Sequence, residues 1–324
     1  MSAPDFRAGS APADSSFSVP PWTYGFIVAV LMWAATIAYS GFGSAGPTLS
    51  SALVFAAFSV VVGTGQMLVI ASGPGNIDLS MPSVLTLAAY ASMSVMAQRD
   101  AMVLPGLAVA LGVGAAAGIL NYLAILLLRL PPIIATLAWS FVFQSFAFNL
   151  GGEATLKPPA ILSDFTLLSA GGLRALPFVV MLLTAAAFVL LKRAVPGRHL
   201  LAVGQSERAA RFAGVKVGRV RLLAYTLCGM SAGLAGFLLA GFSGGAALNM
   251  GDTYLLESIA VVVLGGTSVA GGQANAIGIW GAALFFNLMA TMLNTFQMQA
   301  GIRFLLTGAL IILIVAAVPP PKAG

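Results

Sequence analysis

Charge is scarce in this sequence: Asp, Glu, Lys and Arg together make up 7% of its 324 residues. A chain that meets water on every side needs charged side chains to cover its surface, so this scarcity excludes an ordinary soluble domain. Cysteine is scarcer still. Cys228 stands alone, which excludes an intramolecular disulfide and leaves the redox compartment unread. His199 is the single histidine and sits among basic residues, with no metal cluster or nucleophile–base pair in view. No GxxxxGK[ST] loop occurs anywhere, so the chain lacks that route to nucleotide hydrolysis.

What the sequence has in abundance is apolar surface. Hydrophobic residues make up 59% and mean hydropathy is +0.99, the composition of a surface that faces lipid. The 37 glycines fit the same solvent, because close backbone approach replaces the hydrophobic drive that lipid cannot supply. Apolar runs lie at 24–43, 52–71, 83–97, 102–128, 133–150, 175–191, 222–242, 254–270, 276–293 and 304–318. Several fall short of the ~20 residues that an isolated crossing needs and require shielding by neighbours. The expected fold is all-α and polytopic, with about ten transmembrane helices and both termini cytoplasmic.

Residues 1–23 are polar and lack the basic-then-apolar order of a signal peptide, so they read as a disordered cytoplasmic tail. Residues 24–318 then form one membrane domain, and 319–324 a second cytoplasmic tail. The charge map fixes the orientation. With the amino terminus inside and ten crossings, eleven of the fifteen basic residues fall on the cytoplasmic side, and Arg99, Lys157, Arg174 and Arg303 fall outside. A flipped arrangement inverts this bias. The net charge of +6 therefore belongs to cytoplasmic loops and does not indicate nucleic acid. Two loops are long: 151–174 outside, and 192–221 inside with eight basic residues.

The inner loop reads KRAVPGRHLLAVGQSERAARFAGVKVGRVR. Ser206 can cap a short helix that opens on Glu207, whose charge suits the positive end of the dipole. Glu207 and Arg211 stand at i,i+4 in the favourable order, and Gly214 can close the helix. A helix of about seven residues, ~10 Å long, is unstable alone in water and needs something to dock on. Two readings stand side by side: a coupling helix that receives motion from a cytoplasmic motor, and a basic helix lying on anionic headgroups.

Glycines and prolines in GPGNIDLSMP (73–82) interrupt any helix, so this stretch reads as irregular backbone entering the membrane. Within it, Asp78 is the acidic residue expected deepest. It serves either a functional role or as a cap of the following helix through backbone amides. Asn121, Gln144, Asn149 and Asn287 lie inside apolar runs and are, with Asp78, the candidates for a translocation path; interhelical bonding is the competing role. Glu257 reads as a partly wet structural residue near the outer interface. Gly114/Gly118 and Gly229/Gly233 have helix-packing spacing, and VLGGTSVAGG (263–272) reads as a flexible break between spans.

Four phrases resemble a family: GNIDLSMPS (75–83), RLPPIIATLAWS (129–140), AVGQSERAARFAGVKVGRVRLLAYTLCGMSAGLAG (202–236) and ESIAVVVLGGTSVAGGQ (257–273). They are similar to the permease subunits of bacterial ABC importers, in the ribose/sugar and branched-chain amino acid branch. The resemblance runs from about 50 to 318. It implies a multi-pass protein of the bacterial inner membrane that pairs with a second permease subunit, as homo- or heterodimer. It also implies a separate cytoplasmic ATPase, which alone uses ATP, and a periplasmic substrate-binding protein. This chain would then be non-catalytic and bind no cofactor. The resemblance assigns ATPase contact to Gly204, Ser206, Glu207, Arg208, Ala209, Ala210, Arg211, Ala213 and Gly214.

NIDLS and IATLAWSF favour a sugar, such as a ribose-type monosaccharide, over branched-chain amino acids or nucleosides. Asn76, Met81-Pro82 and Trp139 depart from the usual sugar pattern. The rival of another class is an ion-coupled secondary transporter titrating at Asp78. A passive channel is disfavoured, because nothing resembles a charged ring or filter.

Overall fold

A computed structural model of the chain describes residues 20, 22–151, 156–170 and 173–317. The two terminal tails expected from the sequence therefore lie almost wholly outside the described residues. Among those described, helix dominates. Ten helices match the ten apolar runs: α1 (Thr23–Ser40), α2 (Ala45–Ala71), α3 (Met81–Met96), α4 (Val103–Leu127), α5 (Pro132–Gly151), α7 (Leu176–Arg193), α10 (Val217–Ser243), α11 (Tyr254–Leu264), α12 (Ala276–Thr295) and α13 (Ala300–Ala317). Seven of them, α1, α2, α4, α5, α7, α10 and α12, are long and apolar enough to cross a membrane. With 16 and 11 residues, α3 and α11 are too short to cross alone.

Three further helices occupy the two long loops. In the first loop lies α6 (Ala160–Leu167), followed by a minimal antiparallel pairing of β1 (Ser169–Ala170) with β2 (Leu173–Arg174). The second loop is almost wholly helical. It holds α8 (Val195–Gln205) and α9 (Glu207–Phe212), and α10 begins at Val217, five residues before its apolar run. Hydropathy alone misses that polar first turn, because a helix continues past the hydrocarbon wherever its backbone bonds are satisfied.

The core is built on α2 and α10. Most of α2 is buried, the mark of a helix that is apolar all round and enclosed by others. In contrast, α1 and α5 expose most of their apolar surface, as lipid-facing helices do. α10 packs against α2, α3 and α4, and α1 packs on α12. The α4–α10 contact explains the glycine spacing. A Cβ on Gly114 would collide with the Gly229 carbonyl, and one on Gly118 with the Tyr225 carbonyl. A Cβ on Gly233 would strike the Ala110 carbonyl. These backbones touch, as small-residue interfaces in lipid require.

Candidate functional site

The inner loop folds as its sequence dictates. Ser206 is in extended backbone and its hydroxyl accepts the Ala209 N–H at 3.2 Å, so one orphan donor at the start of α9 is satisfied. Glu207 follows in the first turn, and the Arg211 Nε donates to its carboxylate at 3.1 Å. Ala213 and Gly214 close the helix, with Gly214 at φ +80°, a left-handed position that suits glycine. The helix is six residues long, about 9 Å by its rise.

Sequence reasoning missed a third partner. Arg221, in the second turn of α10, donates to the other oxygen of Glu207 at 2.8 Å. No i,i+4 rule announces a pair fourteen residues apart. Its side chain is only 22% exposed, and its guanidinium lies beside Gly73, where an added Cβ would come within 3.2 Å. The two arginines hold the Glu207 carboxyl below its ordinary value, the Arg211 hydrogen bond contributing most. The free surface of α9 is broad: Arg208, Ala209 and Arg211 are exposed, as are Phe212, Ala213 and Gly214. Ala210 faces inward and packs with Val203 and Val217.

Gly204, at the end of α8, meets two other chain segments. A Cβ there would collide with the Ala71 carbonyl and with the Gly272 amide. The Gly272 N–H donates to that same Ala71 carbonyl at 3.0 Å. Gly271, at φ +86°, packs on the Gly73 backbone, where a Cβ would come within 2.6 Å of the Gly73 Cα. The GGTSVAGG stretch is thus a close-packed junction of α2, α8 and the 265–275 connection. It is not the flexible break expected from its glycines. Glycine frequency reports either looseness or close approach, and only the neighbours decide which.

From this junction the chain enters the segment 72–80, which is non-helical and carries the buried side chains of Asn76, Asp78 and Ser80. The Asp78 Oδ1 accepts the Ser80 N–H at 2.8 Å and the Ser80 hydroxyl at 2.7 Å, just ahead of α3. Asn121 of α4 donates to both Asp78 oxygens at 3.3 Å and to the Ser80 hydroxyl at 2.7 Å. With its amide oriented to fit, Gln66 of α2 pairs with the Asp78 backbone N–H and C=O at 3.2 and 3.3 Å. The Leu79 N–H donates to Thr136 of α5 at 3.1 Å. Irregular backbone inside a bundle needs such partners.

The five path candidates do not form one site. Asp78 and Asn121 meet in the buried cluster just described. Gln144 of α5 donates to the Leu248 carbonyl at 3.0 Å, and Asn149 is exposed near the end of the same helix. Asn287 of α12 joins Ser59 of α2 and Glu257 of α11. Glu257 is therefore bound into three helices, which its position near a helix start did not reveal.

Comparison with known proteins adds the family. Residues 48–315 match the model of the family described as branched-chain amino acid transport system / permease component. The autoinducer 2 import system permease protein LsrD of Photorhabdus laumondii is 31% identical over 249 residues, 74% of each chain. The LsrD proteins of Photorhabdus luminescens and of Yersinia pseudotuberculosis serotype O:3 are each 30% identical, again over 74% of each chain. No solved structure matches. With the apolar helices these matches describe a multi-pass protein of the inner membrane, and the chain belongs to the branched-chain amino acid transport system permease family.

Proposed function

We propose that the chain is the membrane-spanning subunit of an ATP-driven importer of the sugar class. It crosses the bilayer ten times with both ends in the cytoplasm, and α9 is the helix on which a separate ATPase docks. The observation that carries this reading is the construction of α9: capped by Ser206, closed at Gly214, and wired through Glu207 to Arg221 of α10. A loose surface helix needs no such anchor. A helix that receives force must pass it on, and α10 lies against α2, α3 and α4.

The partners follow from the same reading. A second permease subunit completes the pathway, and a periplasmic binding protein delivers the solute. ATP is hydrolysed by the docked ATPase. The sugar class is supported by the likeness to LsrD import permeases and by the NIDLS phrase at 76–80. The family description favours a second substrate reading, a branched-chain amino acid.

Reconstitution with the partner ATPase and binding protein tests both. Uptake into vesicles should require ATP and collapse without the ATPase. Uptake driven by a proton or sodium gradient alone rejects the reading. Uptake of leucine in place of a monosaccharide rejects the sugar class only.

A further inference from the structure

Among the described residues, large crevices open on the helical bundle, and two of them have walls of apolar side chains. One, of about 460 Å³ between α4 and α5, is bounded by residues such as Leu120, Leu127, Trp139 and Val142. Another, of about 420 Å³, lies where α1 meets α12, among Val28, Met32, Phe285 and Leu293. Hydrocarbon fills such spaces at no cost.

A third is different. It measures about 570 Å³, lies between α11, α12 and α13, and receives the side chains of Glu257, Asn287, Arg303 and Thr307 as well as Phe286 and Met289. Its size falls in the range of about 300–1,000 Å³ typical of small-molecule sites. Glu257 is fixed there: its Oε1 accepts the Ser59 hydroxyl at 2.6 Å and the Asn287 amide at 3.3 Å. These donors come from α2 and α12, so the carboxyl orientation is set by two neighbouring helices. Among the described residues its Oε2 makes no hydrogen bond, and the Arg303 Nε, buried on the opposite helix, has none either.

An ionisable group on a bundle helix is expensive beside lipid and is tolerated where it meets water or a polar solute. The neutral donors already on Oε1 leave the carboxylate one accepting oxygen, in a cavity that the apolar side chains of Phe286 and Met289 also line. That combination of hydrogen-bonding edge and apolar face suits a molecule with hydroxyls around a carbon ring.

We infer that the cavity between α11, α12 and α13 is a wet segment of the solute's route, in which Glu257 accepts hydrogen bonds from a neutral polyhydroxylated solute. The inference rests on the importer reading and names a substrate-contacting residue within it.

Cysteine labelling of the full chain in membrane vesicles tests it. Native Cys228 is fully buried and gives no background. The probe is the fixed cation methanethiosulfonate ethyltrimethylammonium, applied to Thr307→Cys and, as the apolar-crevice control, to Val142→Cys. Thr307→Cys should react roughly a hundredfold faster, because a fixed cation partitions poorly into hydrocarbon. Adding Glu257→Leu should slow Thr307→Cys towards the control rate, and adding Glu257→Gln, which stays polar but loses the charge that attracts the cation, should slow it much less. Saturating D-ribose or D-xylose should slow the wild-type-background reaction, and L-leucine should not.

Equal rates at the two positions overturn the wet cavity. Slowing by leucine alone overturns the polyol class, and slowing by none of the three overturns the solute route. Labelling needs neither ATP nor partners. A complex that imports nothing would therefore defeat the importer reading and leave the cavity result intact.

Discussion

Glu207 Oε2 and Arg221 Nη2 stand 2.8 Å apart, joining α9 to α10 across the turn at Ala213–Lys216. The same arginine lies against Gly73 at the mouth of the 72–80 segment. One side chain thus connects α9, a core helix and the irregular segment that leads into α3. Arg221→Ala should lower ATP-driven import roughly tenfold, the factor implied by losing a charge-assisted hydrogen bond of about 1.5 kcal/mol. Arg211→Ala, which leaves that link in place, should cost less. Comparing initial uptake rates of the two variants at equal membrane content checks the order.

Charge reversal separates the local pair from the long link. In Glu207→Lys/Arg211→Glu the i,i+4 pair survives in the less favourable order, and an ammonium group now faces Arg221. The protein should insert normally and fail to import. Normal import by this double variant would show that the Glu207–Arg221 link carries no force.

The Glu207 carboxyl is held below its ordinary value of 4.5. A depressed folded-state value means that the charged form stabilises α9 fully above the unfolded-state value. The stabilisation is lost as pH falls through the lower, folded one. Labelling of Ala210→Cys, whose native side chain faces inward, measured relative to an exposed Arg208→Cys at each pH to remove the change in thiolate fraction, should stay slow from neutral pH down to the ordinary carboxylate range and speed up below it. In an Arg211→Ala background the onset should move to higher pH. An onset unmoved by that substitution would assign the loosening to another group.

Most of this architecture is legible in the sequence, because lipid leaves few alternatives. Every apolar run carries a helix, and the Gly114/Gly118 and Gly229/Gly233 pairs do pack, against each other. The cap at Ser206, the Glu207–Arg211 pair and the closing Gly214 are local features with local signals, and each stands where the residues put it. What stayed hidden depends on distant neighbours. Arg221 reaches Glu207 from the next helix, and Glu257 finds Ser59 from 198 residues away. Gly271 and Gly272 look loose in the sequence and are pinned between Gly73, Ala71 and Gly204. Among the path candidates, polarity inside an apolar run marked Asn121 and Asn287, and an acidic side chain in the irregular stretch 73–82 marked Asp78, without showing which would partner each other.

Glycine substitutions divide by what surrounds them. Gly118→Val places new atoms on the Tyr225 carbonyl and should destabilise by about 1–3 kcal/mol or more. Gly112→Ala, in the same helix but with nothing within 4 Å of the new Cβ, should stabilise by up to about 1 kcal/mol. Thermal unfolding in detergent should lower the midpoint of the first variant and raise or preserve that of the second.

The most direct test of the central claim is the side of the membrane on which α9 lies. Arg208 is exposed on that helix, so Arg208→Cys offers an impermeant maleimide a clear target. Labelling should occur in inside-out vesicles, should fall when the partner ATPase is bound, and should be absent from intact right-side-out spheroplasts. Rapid labelling of the spheroplasts would place α9 outside the cell, beyond the reach of any cytoplasmic ATPase, and would contradict the account.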